Sequence, residues 1–208
     1  MGQVRSCWSC KGPLESAFFC PTCEAIQPPD PAQDHFAFFE LERGFEVDLE
    51  RLESRFHELQ QLFHPDRFAV ESAKARRFSL EQATRLNEGR QTLQDPLLRA
   101  EYLLKLLAGD AEIDAKGAQD PAFLMEVIEL RETLEELDPE ADDIWDRIEA
   151  LRDEVSALAA QEIEQLKGAF GRYDGDSQWH TVMARHTDRL RYHRKFLEEV
   201  DRLEERLF

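Results

Sequence analysis

An amphipathic run, LESRFHELQQLF at residues 52–63, meets a proline two positions after its last apolar residue. Leu52, Phe56, Leu59 and Phe63 recur at the spacing of one helix face. Pro65 has no amide hydrogen to donate and its ring collides with the preceding turn, so the helix must end before it. The same ring drives His64 toward extended backbone. His64 and Asp66 are thereby held in a short, stiff, polar loop instead of the glycine turn that ends many helices. Such a loop suits a contact point, although an ordinary helix stop with chance neighbours would look the same from three residues alone.

Helical spacing continues along almost the whole chain after Phe36, and no sustained alternation argues for strands. A short apolar helix is expected over 35–41. Asp48 caps the helix that runs to Phe63. Further helices are expected over 71–93 and 96–107, the latter with Pro96 in its first turn, where a missing N–H costs nothing. Beyond a polar, weakly patterned stretch, three longer helices follow at 121–137, 141–170 and 176–206. Their seams are Phe123, Val127, Leu130, Leu134 and Leu137; then Ile144, Ile148, Leu151, Val155, Leu158, Leu166 and Phe170; then Trp179, Met183, Leu190, Leu197 and Val200. The spacing implies a small antiparallel bundle. His186 and His193 fall on the last seam, where a packed, hydrogen-bonded role outweighs a ligand role.

The helix at 121–137 has a second apolar feature. With Phe123 at zero and a turn of about 100° per residue, its seam spans about 80°. Leu124, Met125 and Ile128 fall at roughly 100°, 200° and 140°, on the far side with Glu129, Glu132 and Glu136. Apolar side chains rimmed by acids have the makeup of an interaction surface. Cover by another helix of the bundle is the competing explanation.

Of the 208 residues, 42% are hydrophobic and 34% charged, which provides for apolar cores behind wet helix faces. The formal charge of −18 disfavours nucleic acid as the main partner, because phosphate binding needs a basic footprint. Residues 109–164 hold four basic and 19 acidic side chains, a net of −15, either a solvated face or a docking surface for a basic partner. Arg185, Arg189, Arg191, Arg194 and Lys195 read as balancing the acidic helices rather than as a nucleic-acid site. No apolar stretch reaches the roughly 20 residues that span a bilayer. No signal or transit pattern is evident, and the loose myristoylation match MGQVRS runs straight into another motif. The expectation is a soluble cytoplasmic protein with no membrane partner.

That other motif is a pair of C-x2-C sequences, CWSC and CPTC, which place Cys7, Cys10, Cys20 and Cys23 within the first 23 residues. Two such knuckles can set four thiolates at the corners of a tetrahedron, as in structural zinc sites. Gly12 and Pro13 are expected to turn the chain between them, with Trp8, Phe18 and Phe19 packed around the metal. A segment this short needs such a staple to fold. Structural zinc is the leading assignment; iron or an iron–sulfur cluster, and a disulfide or redox use, are the alternatives. The proline-rich IQPPDPAQD (26–34) reads as a linker.

The arrangement LESRFHELQQLFHPDRF…RLNEGRQTLQDPLLRAEYLLKL resembles the J domain of DnaJ-type co-chaperones. Its marks here are His64, Pro65 and Asp66 between two helices, with Leu93, Asp95 and Pro96 closing the second of them. HPDRF followed by PLLRAEYLLKL is similar, more particularly, to the HscB family, the J-type co-chaperones of iron–sulfur cluster assembly. The likeness runs from about residue 35 to the C-terminus, and the cysteine knuckles resemble an N-terminal extension found in some members. The combined reading is an all-α chain: a four-cysteine zinc-knuckle segment and linker at 1–33, a J domain (a helical hairpin with flanking helices) at 34–108, a linker at 109–120 and a C-terminal three-helix bundle at 121–208.

The resemblance implies that the loop docks on a DnaK/HscA-type ATPase chaperone and triggers ATP hydrolysis there, this chain carrying no catalytic group and binding no nucleotide. His64 and Asp66 would make the polar contacts, Asp66 pairing with an arginine of the ATPase, while Pro65 shapes the loop. Arg51, Arg55, Arg67, Lys74, Arg76 and Arg77 would steer it toward an acidic surface. FLMEVIELRETLEE resembles the segment that binds the IscU-type scaffold protein, which assigns that contact to Leu124, Met125, Ile128, Glu129, Glu132 and Glu136, with Tyr192 as an exposed aromatic beside them. Two departures stand out. Gln60 and Gln61 make the end of the second helix less basic than in many J domains, and Gly89-Arg90 replaces the usual alanine and aromatic. Gly89 is expected to cost about 1 kcal/mol relative to alanine, and Arg90 to fill the core poorly. Outside the resemblance stand a J-type co-chaperone for another client and a cysteine-based redox or metal protein. For the knuckle itself, homodimer formation, binding of another assembly factor and protection of the N-terminus all stay open.

Overall fold

The computed structural model describes residues 5–14, 18–108 and 120–207. Two strands of two residues, β1 (Arg5–Ser6) and β2 (Pro13–Leu14), pair antiparallel with Arg5 opposite Leu14. Everything else regular is helical: α1 (His35–Phe38), α2 (Leu49–Phe63), α3 (Ala73–Gln94), α4 (Pro96–Ala108), α5 (Pro121–Glu135), α6 (Ile144–Gly171) and α7 (Ser177–Leu207). A 3-10 turn over Pro65–Phe68 separates α2 from α3. The chain is thus all-α apart from the short strand pair, as its periodicity indicates. Residues 109–119 of the expected linker lie outside the described residues.

The helix starts follow local chemistry. Asp48 accepts from the Arg51 amide, Ser72 from Ala75 and Asp120 from Ala122, each occupying an amide that the helix itself leaves unpaired. Pro96 and Pro121 are the first residues of α4 and α5, where a proline is pre-set for helix.

The chain forms two compact units. One comprises the described residues up to Arg43 together with Val47–Asp95; the other comprises Gly44–Glu46 and the described residues from Pro96 onward. The packing boundary therefore falls at Asp95–Pro96 rather than after residue 108, because α4 lies along α7. In the first unit α2 and α3 form a hairpin around α1, burying Phe36, Phe38, Phe39, Leu52, Leu59, Phe63, Leu86 and Leu93. The stretch 26–34, expected as a linker, is packed here. Ile26 and Gln27 are buried, the Gln82 side chain donates to the Gln27 carbonyl at 3.0 Å, and Arg85 bonds the carbonyls of Asp30 and Gln33. Prolines that stiffen this stretch let it lie along α3 without demanding amide partners.

Gly89 and Arg90 also read differently in three dimensions. A Cβ on Gly89 would lie 2.9 Å from His35 Nδ1 and 2.9 Å from Phe39 Cε2, so the missing side chain is what lets α1 approach α3. Arg90 bonds both carboxylate oxygens of Glu53, at 2.8 and 3.1 Å, and its guanidinium lies 4.7 Å from the centre of the Phe56 ring. Its cation and stem cover the Phe56 ring where a core aromatic is missing.

In the second unit α6 and α7 run antiparallel along the expected seams. Their core joins Leu130, Leu137, Ile144, Ile148, Leu151, Val155, Phe196 and Val200. Phe45 stacks on Phe170, with ring centres 5.3 Å apart. Gly89→Ala sets two effects against each other. The gain in helix propensity is about 1 kcal/mol, whereas overpacking against the buried Phe39 ring costs about 1–3 kcal/mol. The expected net outcome is a lower denaturation midpoint for the first unit, read by chemical unfolding of the full chain.

Candidate functional sites

The His-Pro-Asp loop stands out from its unit. The side chains of His64 and Asp66 are 53% and 90% exposed. His64 leaves α2 at φ −56° and ψ 126°, the extended backbone that Pro65 demands. The Asp66 amide donates to His64 Nδ1 at 3.3 Å, and Asp66 Oδ2 lies 3.6 Å from the same nitrogen. The loop is held from within by Arg67 N–H to the His64 carbonyl, 3.0 Å, and from beneath by the buried Phe68.

The surrounding cations are partly occupied. Arg55 pairs with Glu40 and Glu58, and Arg77 with Glu81 at 3.1 Å. Arg51, Arg67 and Arg76 instead bond the carbonyl oxygens of Glu40, Gln61 and Glu71, which leaves their charge intact. Lys74 sits 4.7 Å from the centre of the Trp8 ring. Carboxylates thus partly offset Arg55 and Arg77, whereas Arg51, Arg67 and Arg76 meet carbonyl oxygens and Lys74 a ring face.

The four cysteines converge. All four Sγ atoms lie within 4.8 Å of one another, with Cys7–Cys23 at 3.7 Å and Cys10–Cys20 at 3.6 Å. Four sulfurs at about 2.3 Å from a common tetrahedral centre are about 3.8 Å apart, whereas a disulfide requires about 2.05 Å. The two knuckles have the same bonding. Cys7 N–H donates to the Gly12 carbonyl, Lys11 N–H to the Cys7 carbonyl and Ser9 N–H to Cys7 Sγ; Cys20, Ala25, Glu24 and Thr22 repeat the set. Each knuckle closes on a residue of positive φ, Lys11 at 64° and Glu24 at 57°. These residues make the reversal expected of Gly12 and Pro13, while Pro13 sits in β2. Gly12 serves close approach, since a Cβ there would lie 3.3 Å from Cys10 Sγ. Burial disfavours the Cys7 thiolate, but the backbone of Cys10 and Ser9 and the neighbouring thiols bring its pKa down to about 6. The cluster fits a tetrahedrally bound metal ion.

Trp8, Phe18 and Phe19 do not close around the sulfurs. Trp8 meets Phe78 edge-on with ring centres 5.8 Å apart, and Phe18 and Phe19 pack on Phe63 at 5.0 and 6.4 Å. The knuckle has little apolar content of its own, so its rings join the core of the α2–α3 hairpin.

On α5, Leu124, Met125 and Ile128 are 47%, 55% and 48% exposed, and Glu129, Glu132 and Glu136 are exposed around them. Among the described residues of the second unit no helix covers the trio. Glu136 is the residue at which α5 ends. Tyr192 is half-buried rather than exposed: its ring edge meets Phe123 at 5.7 Å and packs on the core.

What fastens α5 was not legible as a site. Two ion pairs and one histidine contact tie it to α7: Asp120 with Arg189, Arg131 in a two-pronged pair with Glu199, and Glu126 Oε1 2.8 Å from His193 Nε2. Arg189 also reaches Glu162 of α6 at 3.3 Å, and His186 Nδ1 lies 2.6 Å from the same carboxylate. Glu162 is 6% exposed. Burial alone would raise its pKa, but His186 and Arg189 more than offset that and hold it below the ordinary carboxylate value. The sequence signal was an acid on the α6 seam, one turn from both Leu158 and Leu166. Arg191 likewise balances Glu101, at 2.7 Å, and Asp188.

A family model described as the HSCB C-terminal oligomerisation domain matches residues 119–201. The human iron-sulfur cluster co-chaperone protein HscB is 40% identical over 139 residues, which span 65% of this chain and 59% of that protein. A co-chaperone protein HscB homolog of Vibrio cholerae serotype O1 (strain M66-2) is 38% identical over 178 residues, 84% of this chain and 98% of that one. The crystal structure of human co-chaperone protein HscB superposes with a TM-score of 0.82 at 31% identity, covering 96% of this chain and 98% of the other. Among the described residues no helix is long and apolar enough to cross a membrane.

The depressed pKa of Glu162 has a definite consequence. Its contribution to stability is complete above the unfolded carboxylate value and is lost as pH falls through the lower, folded value. The second unit is therefore expected to weaken on acidification below about pH 4.5. Glu162→Gln is expected to cost about 1–3 kcal/mol at neutral pH and to flatten that acid limb, as measured by denaturant midpoints across pH.

Proposed function

Because the chain belongs to the HscB family of co-chaperones, we propose that it binds an iron–sulfur scaffold protein of the IscU type through its C-terminal helices and stimulates ATP hydrolysis by a DnaK/HscA-type chaperone through the His-Pro-Asp loop, promoting cluster transfer. The observation that carries this reading is the pairing, on one chain, of an exposed histidine–aspartate loop and an uncovered apolar patch ringed by acids. His64, Pro65, Asp66 and Arg67, with Arg51 and Arg55 behind them, form the chaperone-binding surface. Leu124, Met125, Ile128, Glu129, Glu132 and Glu136, with Tyr192, form the scaffold-binding surface. The functional modules are then residues 34–108 and 121–208, joined to the knuckle at 1–33.

The chemistry of hydrolysis belongs to the ATPase; this chain contributes an exposed imidazole, an exposed carboxylate and the proline that fixes their spacing. A buried apolar contact of this kind supplies affinity, while the acidic rim selects a basic partner and speeds encounter. Because both surfaces share one chain, scaffold and ATPase meet at raised effective concentration. The four-thiolate cluster is assigned to zinc, which with soft ligands in a closed tetrahedron contributes folding energy rather than reactivity.

Two measurements separate the parts of this reading. Isothermal titration with the scaffold should show binding that Leu124→Ala/Met125→Ala weakens by roughly 30-fold or more, about 2 kcal/mol or greater for loss of apolar anchors; equal affinity of variant and parent would remove the iron–sulfur assignment. His64→Gln should abolish ATPase stimulation with the circular dichroism spectrum intact, and unchanged stimulation would remove the docking role of the loop.

A further inference from the structure

We infer that the four-cysteine metal site positions the His-Pro-Asp loop, with Phe63 as the positioning residue; the inference rests on the docking role proposed for that loop. Phe63 is the last residue of α2, directly before His64, and is fully buried. Two of the rings packed on it come from the knuckle, Phe18 edge-on at 5.0 Å and Phe19 stacked at 6.4 Å, and Phe38 of α1 meets it at 6.2 Å. Its carbonyl, which Pro65 and the helix end leave without a partner in α2, accepts from Ser79 Oγ of α3 at 2.7 Å. Both sides of the residue that launches the loop are thus gripped.

The grip leads back to the sulfurs by two routes. Phe18 lies two residues before Cys20, and its carbonyl accepts from the Gln27 amide at 2.8 Å. Gln27, 2% exposed, donates from Nε2 to Cys7 Sγ at 3.4 Å. The Gln27 carbonyl in turn accepts from Gln82 Nε2 at 3.0 Å, and Gln82 sits three residues, nearly one helical turn, beyond Ser79. Trp8, adjacent to Cys7, meets Phe78 and donates from Nε1 to the Ile26 carbonyl at 2.7 Å.

From Arg5 to Gln27, the described residues that are buried are Cys7, Cys20, Ile26 and Gln27 alone. Two of those four are thiols, so the segment has little buried apolar surface of its own and depends on the sulfur cluster together with its contacts to α2 and α3. Without the metal, Phe18 and Phe19 lose the scaffold that holds them on Phe63. One face of the last turn of α2 is then uncovered, and the loop loses its base while α2 and α3 keep their own seam.

The test is hydrogen–deuterium exchange on the full chain, loaded with one equivalent of zinc or stripped by chelator, alongside Phe18→Leu loaded with zinc. Stripping is expected to speed exchange of the Arg67 and Ala69 amides, which bond His64 and Asp66, by about tenfold. Phe18→Leu should retain its zinc and show about threefold faster exchange at the same amides. Amides within α6 and α7 should not change. Equal loop exchange with and without metal would overturn the inference. So would equal exchange in Phe18→Leu and parent, or loss of protection spread over all of α2 and α3, since the metal would then hold the whole unit. The exchange readout needs no ATPase. A zinc-loaded protein that fails to stimulate the chaperone would sink the functional reading while leaving the coupling of metal to loop measurable.

Discussion

A helix that stops on proline leaves carbonyl oxygens without donors, and the first unit is organised around that deficit at Phe63. Ser79 of α3 supplies the donor, and the serine is fully buried to do so. An unmade bond there would cost about 1–3 kcal/mol, a large fraction of the stability of a small domain. The bond therefore sets where α3 must pass. With α3 in place, Gly89 lets α1 close against it, and Gln82 and Arg85 strap the 26–34 stretch along it. The exposed pair His64 and Asp66 is what remains outside once those requirements are met.

The second unit solves a different problem. α6 and α7 share a long apolar seam, but α5 buries only Leu130 along its length, with Leu137 just past its end. With Leu124, Met125 and Ile128 exposed, the rest of its apolar packing is partial, through Phe123 on Tyr192 and Leu134 on the core. Charge pairs to α7 make up part of the shortfall, and Glu162 sits buried at their hub because His186 and Arg189 compensate it. Buried pairs of this sort add little net stability, yet they are costly to break. They fix the register of α5 on α7, and with it the position of the patch.

Much of this was legible from residue order. Helix ends at Asp48, Pro65, Pro96 and Pro121 carry local signals, and the 3.6-residue period of α5 separated its seam from the Leu124–Met125–Ile128 face. Other features depend on residues distant in sequence and left no local trace. Gly89 looked like a liability because its neighbours, His35 and Phe39, lie some 50 positions away. The prolines of 26–34 suggested a free linker, although they also suit a strap lying on a helix. Trp8, Phe18 and Phe19 were expected around the metal, but aromatic rings follow the larger apolar core, and that core belongs to α2 and α3. Tyr192 lies off the α7 seam, yet Phe123 and the core cover much of it.

The carboxylates around the α5 patch also set how a charged molecule approaches it. A ring of like charge repels an anionic visitor while leaving a cationic one welcome. Such discrimination works over roughly 10 Å at 0.1 M salt and shrinks to about 3 Å at 1 M. Salt therefore shortens the distance at which the acidic ring tells a cationic neighbour from an anionic one.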